Sequence, residues 1–158
     1  MLWFTENVFS VISARFPDIQ LIITGDHLGL PLPVKKNVVL TGNLDDIRPK
    51  IASAAVSVVP LLSGGGTRLK ILEALALKTP VVSTTKGAEG LEVTDGENIL
   101  IADTPAAFAH GVMKVLDDHQ LGRRLADNGY NLVNEKYSAE AIAARYNTLL
   151  DQLHRKTI

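Results

Sequence analysis

The 158-residue sequence predicts an α/β domain built on a doubly wound parallel sheet and finished by helices at its C-terminal end. Three observations lead there. Short runs rich in β-branched residues alternate with stretches of helical periodicity, the order that parallel βαβ units require. One such run passes through three consecutive glycines straight into a helical pattern, and another β-branched run follows at once. Beyond Pro105 every apolar pattern repeats at helical spacing.

Taken in order, residues 2–16 carry apolar residues at helical spacing, and Pro17-Asp18 ends that helix. Residues 20–25 form a short apolar strand of the kind a parallel sheet buries on both faces. A polar connection holding His27, Pro31 and Pro33 leads to a second strand at 37–42. Residues 45–54 read as a short helix, with Asp45 and Asp46 in its first turn and Pro49 tolerated only near that end. A strand at 56–60, a helix at 67–78 and a strand at 80–85 follow, then a loop at 86–91 and a last strand at 98–103. Asp103-Thr104-Pro105 has the pattern of an N-cap with proline in the first turn. Three amphipathic helices close the chain at 106–117, 121–135 and 139–156, the last with Ser138 as its cap.

The central stretch carries the chemistry. Gly64, Gly65 and Gly66 have no Cβ, so they tolerate positive φ and close approach of a ligand, and they precede a helix whose first amides lack partners. The aligned peptide dipoles put about half a positive charge there, which suits phosphate oxygens, and Arg68 and Lys70 add mobile charge. With the helix running from Thr67, positions 66, 70 and 73 share a face, and Glu73 lies roughly 10 Å below Gly66. Helical side chains lean toward the N-terminus, so the Glu73 carboxylate reaches a hydroxylated group, such as a ribose, joined to a phosphate at the glycines. Two plainer readings stay open. Three glycines also suit a tight turn, and Lys70 and Glu73, three apart, also suit a surface ion pair. The pattern matches neither the G-x-G-x-x-G nor the Gly-Lys-Ser/Thr phosphate fingerprint.

The run from Pro60 to Leu91, which includes Ser63-Gly64-Gly65-Gly66-Thr67-Arg68-Leu69-Lys70-Ile71-Leu72-Glu73, resembles the donor-binding core of GT-B glycosyltransferases of the family 4 type. That resemblance implies the Rossmann-like half of a GT-B fold and a nucleoside-diphosphate sugar as donor substrate. Gly64, Gly65, Gly66, Thr67, Arg68 and Lys70 would meet its diphosphate or sugar, Glu73 the ribose, and residues 41–44 the base. The family often carries two glutamates separated by seven residues. Glu73 matches the second, while Gly65 stands where the first belongs, so the contact of that first glutamate with the transferred sugar is not carried over. The resemblance further implies transfer to an acceptor hydroxyl in cell-surface polysaccharide or glycoconjugate synthesis. The helix dipole and Arg68 or Lys70 would hold the leaving group with no cofactor and no obligatory metal.

Composition sets limits on other classes. A chain of this length is ordinarily one domain. At 46% hydrophobic and 21% charged, with a formal net charge of −1, it lacks the basic excess of a general nucleic-acid surface. Having no cysteine, it forms neither disulfides nor thiolate metal sites, which fits a cytoplasmic, reducing location. No apolar run of about twenty residues and no charged-then-apolar start is present, so the chain itself is expected neither to span a membrane nor to be exported, and peripheral membrane association stays open for the full-length enzyme. His110, His119 and His154 lack ligand spacing, and no Ser/His/Asp arrangement appears.

Only two residues precede the first helical pattern, whereas a doubly wound half normally opens on a strand. The expectation is therefore a donor-binding domain over residues 1–158, short of its first strand and of the N-terminal acceptor domain that would supply the general base. Such a piece would be inactive alone, and its unpaired strand edges would invite exchange between chains. Two further classes stay open: a nucleotide-binding module without catalysis, and a GT-B-like nucleotide-sugar epimerase, which needs acid/base groups that find no place here. A Rossmann dehydrogenase fits less well, because no acidic residue follows a spaced-glycine fingerprint.

Overall fold

Five short parallel strands and eight helices alternate in the computed structural model, which describes residues 1–26, 29 and 36–156. His27, Pro31 and Pro33 lie outside the described residues. Strand β1 (Leu21–Thr24) pairs in parallel with β2 (Val38–Gly42), and β3 (Ser57–Val59), β4 (Val81–Ser83) and β5 (Leu100–Ile101) form a second parallel sheet in that order. A doubly wound sheet short of its first strand, with unpaired strand edges, was the expectation. The observed sheet is in two pieces because no ladder joins β1 to β3, and a groove of about 480 Å³ runs along both strands instead.

Helices cover the sheets on both faces. On one, α1 (Leu2–Asn7), α2 (Phe9–Arg15) and α6 (Pro105–Asp117) gather Phe4, Phe9, Ile12, Phe108 and Val112 over Val82. Phe108 meets Trp3 and Phe4 edge to face, with centroids 6.1 and 5.5 Å apart, an arrangement worth about 0.5–1.5 kcal/mol beyond area burial. On the other, α4 (Leu69–Ala76) and α7 (His119–Lys136) bury Ile71, Leu75 and Val133 against Val81 and Ile99. Val81 and Val82 thus serve opposite cores, as the alternation of a strand requires. Gly129 allows α7 to come this close: a Cβ there would stand 2.4 Å from Leu75 Cδ2.

Several boundaries differ from the sequence reading. The helix expected over 2–16 breaks at Val8, whose φ of −117° interrupts it between α1 and α2. The helix expected over 45–54 contracts to α3 (Arg48–Ala52), because Asp46 stays outside it and accepts bonds from the backbone and guanidinium of Arg48. Pro49 sits in the first turn of α3, as expected. The loop expected at 86–91 begins inside a one-turn helix, α5 (Thr85–Ala88), capped by the Thr84 hydroxyl. The cap of α6 is Thr104, which accepts from Ala107 N, followed by Pro105. Asp103 instead accepts from the backbone and hydroxyl of Thr85, both at 2.7 Å. Ser138 caps α8 (Ala139–Lys156) by accepting from Ala141 N.

Asp118 caps α7, one Oδ1 accepting from Gln120 N at 2.9 Å and Leu121 N at 3.0 Å. The Leu121 amide, first among several causes, favours the charged carboxylate and holds its pKa below the ordinary value. A depressed carboxyl stabilises the fold above the unfolded pKa of about 4, and that stability is lost as pH falls through the lower folded value. Asp118→Asn keeps a capping oxygen but does not titrate. Its melting temperature is expected to vary less with pH below about 4 than that of the parent; equal acid limbs in thermal denaturation would remove Asp118 from this role.

Candidate functional site

The loops that leave β3 and β4 are tied together at the carboxyl ends of those strands. Residues 60–68 follow β3 and residues 84–90 follow β4. Thr84, buried, donates its hydroxyl to the Leu61 carbonyl at 2.5 Å and accepts from Gly87 N at 2.9 Å. The buried Ser83 hydroxyl lies 3.3 Å from the Val59 carbonyl. Gly87 fits because it has no side chain: a Cβ would stand 2.4 Å from Ser83 Oγ and 2.8 Å from the Val59 carbonyl oxygen. In open α/β sheets ligands collect at this edge.

Within the first loop Gly64 and Gly66 have φ of +114° and +97°, conformations that L side chains rarely adopt, while Gly65 does not. All three and Thr67 are exposed. Helix α4 begins at Leu69, two residues later than expected, so Gly66 belongs to the loop and shares no helical face with Lys70 and Glu73. The N-cap is Arg68, and no side chain caps the helix. Its first amides are therefore left to solvent or a ligand, beside the positive end of the dipole.

Arg68 is not the mobile charge expected. Its side chain is 7% exposed, Nη2 donates to Glu89 Oε2 at 3.0 Å, and Nε is buried with no partner. The same Glu89 oxygen accepts from Lys86 Nζ at 2.6 Å, and Glu89 itself is 55% exposed. Hydrogen bonding and charge from Lys86, with Arg68 contributing less, hold the Glu89 carboxyl below its ordinary pKa. Lys86 and Glu89, from the stretch expected as a loop at 86–91, thus join Arg68 in a bridged cluster of two cations on one carboxylate. Lys70 and Glu73 line the groove between β1 and β3, and among the described residues no ion pair joins them. Glu73 is half-buried. The structure therefore brings Arg68, Lys86 and Glu89 together beside the glycine loop, and Lys70 and Glu73 along one wall of the groove.

Residues 1–118 match the family described as glycosyl transferases group 1. The chain belongs to this family. Among relatives of this glycosyltransferase chain, the lipopolysaccharide core biosynthesis glycosyltransferase LpsE of Rhizobium meliloti is 35% identical over 149 residues, covering 87% of this chain and 43% of LpsE. An uncharacterized 44.6 kDa protein in the cps region of Klebsiella pneumoniae is 24% identical over 153 residues, covering 90% of this chain and 39% of that protein. The chain thus spans about two fifths of the length of these relatives. The crystal structure of the C-terminal domain of LpcC, a glycosyl transferase group 1 family protein from Francisella tularensis, matches with a TM-score of 0.72 at 24% identity, over 82% of this chain and 75% of that one. HepE of Anabaena, solved in complex with UDP-glucose, matches with a TM-score of 0.74 at 20% identity, over 95% of this chain and 46% of that one. The fold is that of a GT-B C-terminal domain.

The tie between the two loops is expected to depend on Gly87. Gly87→Ala forces Ser83 or the β3 backbone to move and should destabilise the glycosyltransferase domain by about 1–3 kcal/mol, read from denaturant unfolding. An unshifted midpoint would show that the loops are held elsewhere.

Proposed function

We propose that this chain is the donor-binding domain of a glycosyltransferase that moves a sugar from a nucleoside-diphosphate sugar to an acceptor hydroxyl, in cell-surface polysaccharide or glycoconjugate synthesis. The observation that carries this reading is the uncapped N-terminus of α4 behind Gly64 and Gly66, with a buried guanidinium at its N-cap. Peptide N–H groups and the helix dipole at that end stabilise phosphate oxygens in the bound donor and, more strongly, the charge that grows on the leaving diphosphate. Gly64, Gly65, Gly66, Thr67, Arg68 and Lys70 are assigned to the diphosphate or sugar. Glu73, one turn inside α4 and on the groove wall, is assigned to the ribose hydroxyls. Membership of the glycosyl transferases group 1 family supports the reaction, and the UDP-glucose complex of HepE supports a nucleotide-sugar donor. The name of LpsE supports an acceptor in a surface glycan. No metal is assigned a role, because charge is met by the helix and the cations. The reaction is assigned to the cytoplasm, with peripheral membrane association of the full-length enzyme.

An acceptor domain on the N-terminal side would complete the cleft, exclude water and supply the general base. Without it the 158-residue chain should transfer no sugar, and its open strand edges should make it sediment heavier than its 17.0 kDa monomer. Glycosyl transfer by this chain alone, or a clean monomer in sedimentation velocity, would contradict the respective half of that statement.

The direct test is calorimetric titration of the full-length enzyme with UDP, GDP and ADP. Replacing Glu73 by Gln removes a charge-assisted bond to the ribose and should weaken the preferred nucleotide about tenfold or more while leaving the melting temperature in place. Unchanged affinity would take Glu73 out of the site.

A further inference from the structure

The pairing of Arg68 is incomplete: one carboxylate oxygen meets Nη2 and none meets Nε. A guanidinium offers a planar fork of donors that suits two oxygens at once. Here Glu89 approaches end-on: one oxygen, Oε2, serves both Arg68 Nη2 and Lys86 Nζ, and Arg68 Nε stays buried without a partner. Among the described residues Glu89 Oε1 accepts nothing. Burial is lopsided as well, with Arg68 7% exposed and Glu89 55% exposed. Arg68 is thus fixed, while Lys86, 39% exposed, and the shared carboxylate face solvent on the segment that leaves β4. Two cations against one carboxylate leave an excess positive charge at the N-cap of α4.

We propose that Glu89 is a resident stand-in for phosphate: its carboxylate occupies the seat between Arg68 and Lys86 and is displaced when the diphosphate of a nucleotide enters. This rests on the nucleotide-binding reading above and adds a competitor to it. A phosphate group presents enough oxygens to span Nε and Nη2 of Arg68 and still reach Lys86, so the exchange satisfies the donor that Glu89 leaves empty. Until then Glu89 neutralises part of the cationic cluster and screens it from other anions. Glu89 is in this sense a selectivity residue, since an anion displaces it only by offering more acceptors than a single carboxylate does.

The test is a titration of the full-length enzyme with inorganic pyrophosphate and with UDP, for the parent, Glu89→Gln, Glu89→Ala and Glu92→Gln. Glu92 is a charge-matched control, being paired with Lys136 and Arg145 on the C-terminal helices rather than with the loop cations. Loss of the competitor should tighten pyrophosphate and UDP about fivefold or more in both Glu89 variants and not in Glu92→Gln. A merely structural Glu89 would weaken binding or leave it unchanged on replacement, and either result overturns the proposal. Equal tightening by Glu92→Gln, or no pyrophosphate binding by the parent and both Glu89 variants, overturns it too. UDP binding that falls with Glu73→Gln but is indifferent to Glu89 leaves the proposed function standing and removes this role alone.

Discussion

The pairing of β3 with β4 is the constraint on which the crevice depends. All three residues of β4 are buried, Val81 in one core and Val82 in the other, and full burial of each valine is worth about 1.5–3 kcal/mol. A slip of one residue would turn Ser83 into a core position and expel a valine, so the register is strongly held. With Ser57 opposite Val81 and Val59 opposite Ser83, the next residues of each chain emerge side by side. That is why Thr84 reaches the Leu61 carbonyl, why Gly87 has no room for a side chain, and why Arg68 and Glu89 meet across 21 positions of sequence. The cationic cluster is a consequence of strand register rather than of the loops' own preferences.

Charge at this edge is independent of the charge of the chain as a whole. The formal net charge is −1, yet Arg68, Lys86 and Glu89 sum to one positive charge where the dipole of α4 adds about half of another. Since Arg68 is buried, its field is less screened than that of a surface arginine. A free guanidinium in such a place is costly, and the half-exposed Glu89 reduces that cost while remaining replaceable. In the proposed exchange a phosphate takes this seat and offers an acceptor to the Nε that Glu89 leaves unpaired, so the same contact that keeps the apo site stable favours multidentate anions.

What could be read from residues alone was the order of elements, the glycine loop and most caps. Thr104-Pro105 and Ser138 announce helix starts through local chemistry that tertiary packing does not override, whereas α7, expected from 121, starts at His119 behind the Asp118 cap. The start of α4 was placed two residues early because Thr67 and Arg68 have no feature that forbids a helix; the non-helical ψ of +46° at Arg68 is what delays it. The break at Val8 carries neither proline nor glycine and follows from packing, with Val8 fully buried between α1 and α2. Helix α5 was hidden by Gly87, which looks like a loop residue and is in fact a response to the closeness of Ser83 and Val59. The Arg68–Glu89 contact left no local trace. Its one signal was that both residues lie just past consecutive parallel strands.

The division of the sheet and the position of Glu73 meet at one groove. Backbone bonds from Leu21 and Gly25 run to the β2 side and the bond from Ser57 to the β4 side, so the other edges of β1 and β3 face each other across the groove. Both strands are accordingly half-exposed where β4 is buried, and Ile22 is 40% exposed. The spatial order β2, β1, groove, β3, β4, β5 is that of a doubly wound sheet with the groove at its central position, where the direction of winding reverses. Ligands of such sheets gather at the carboxyl end of that position, because there the loops diverge to either side. Lys70 and Glu73 line the groove at this reversal. Glu73 is thus carried by α4, whose buried face packs Ile71 and Leu75 against Val81, so its place beside these edges is set by the packing of the helix on β4.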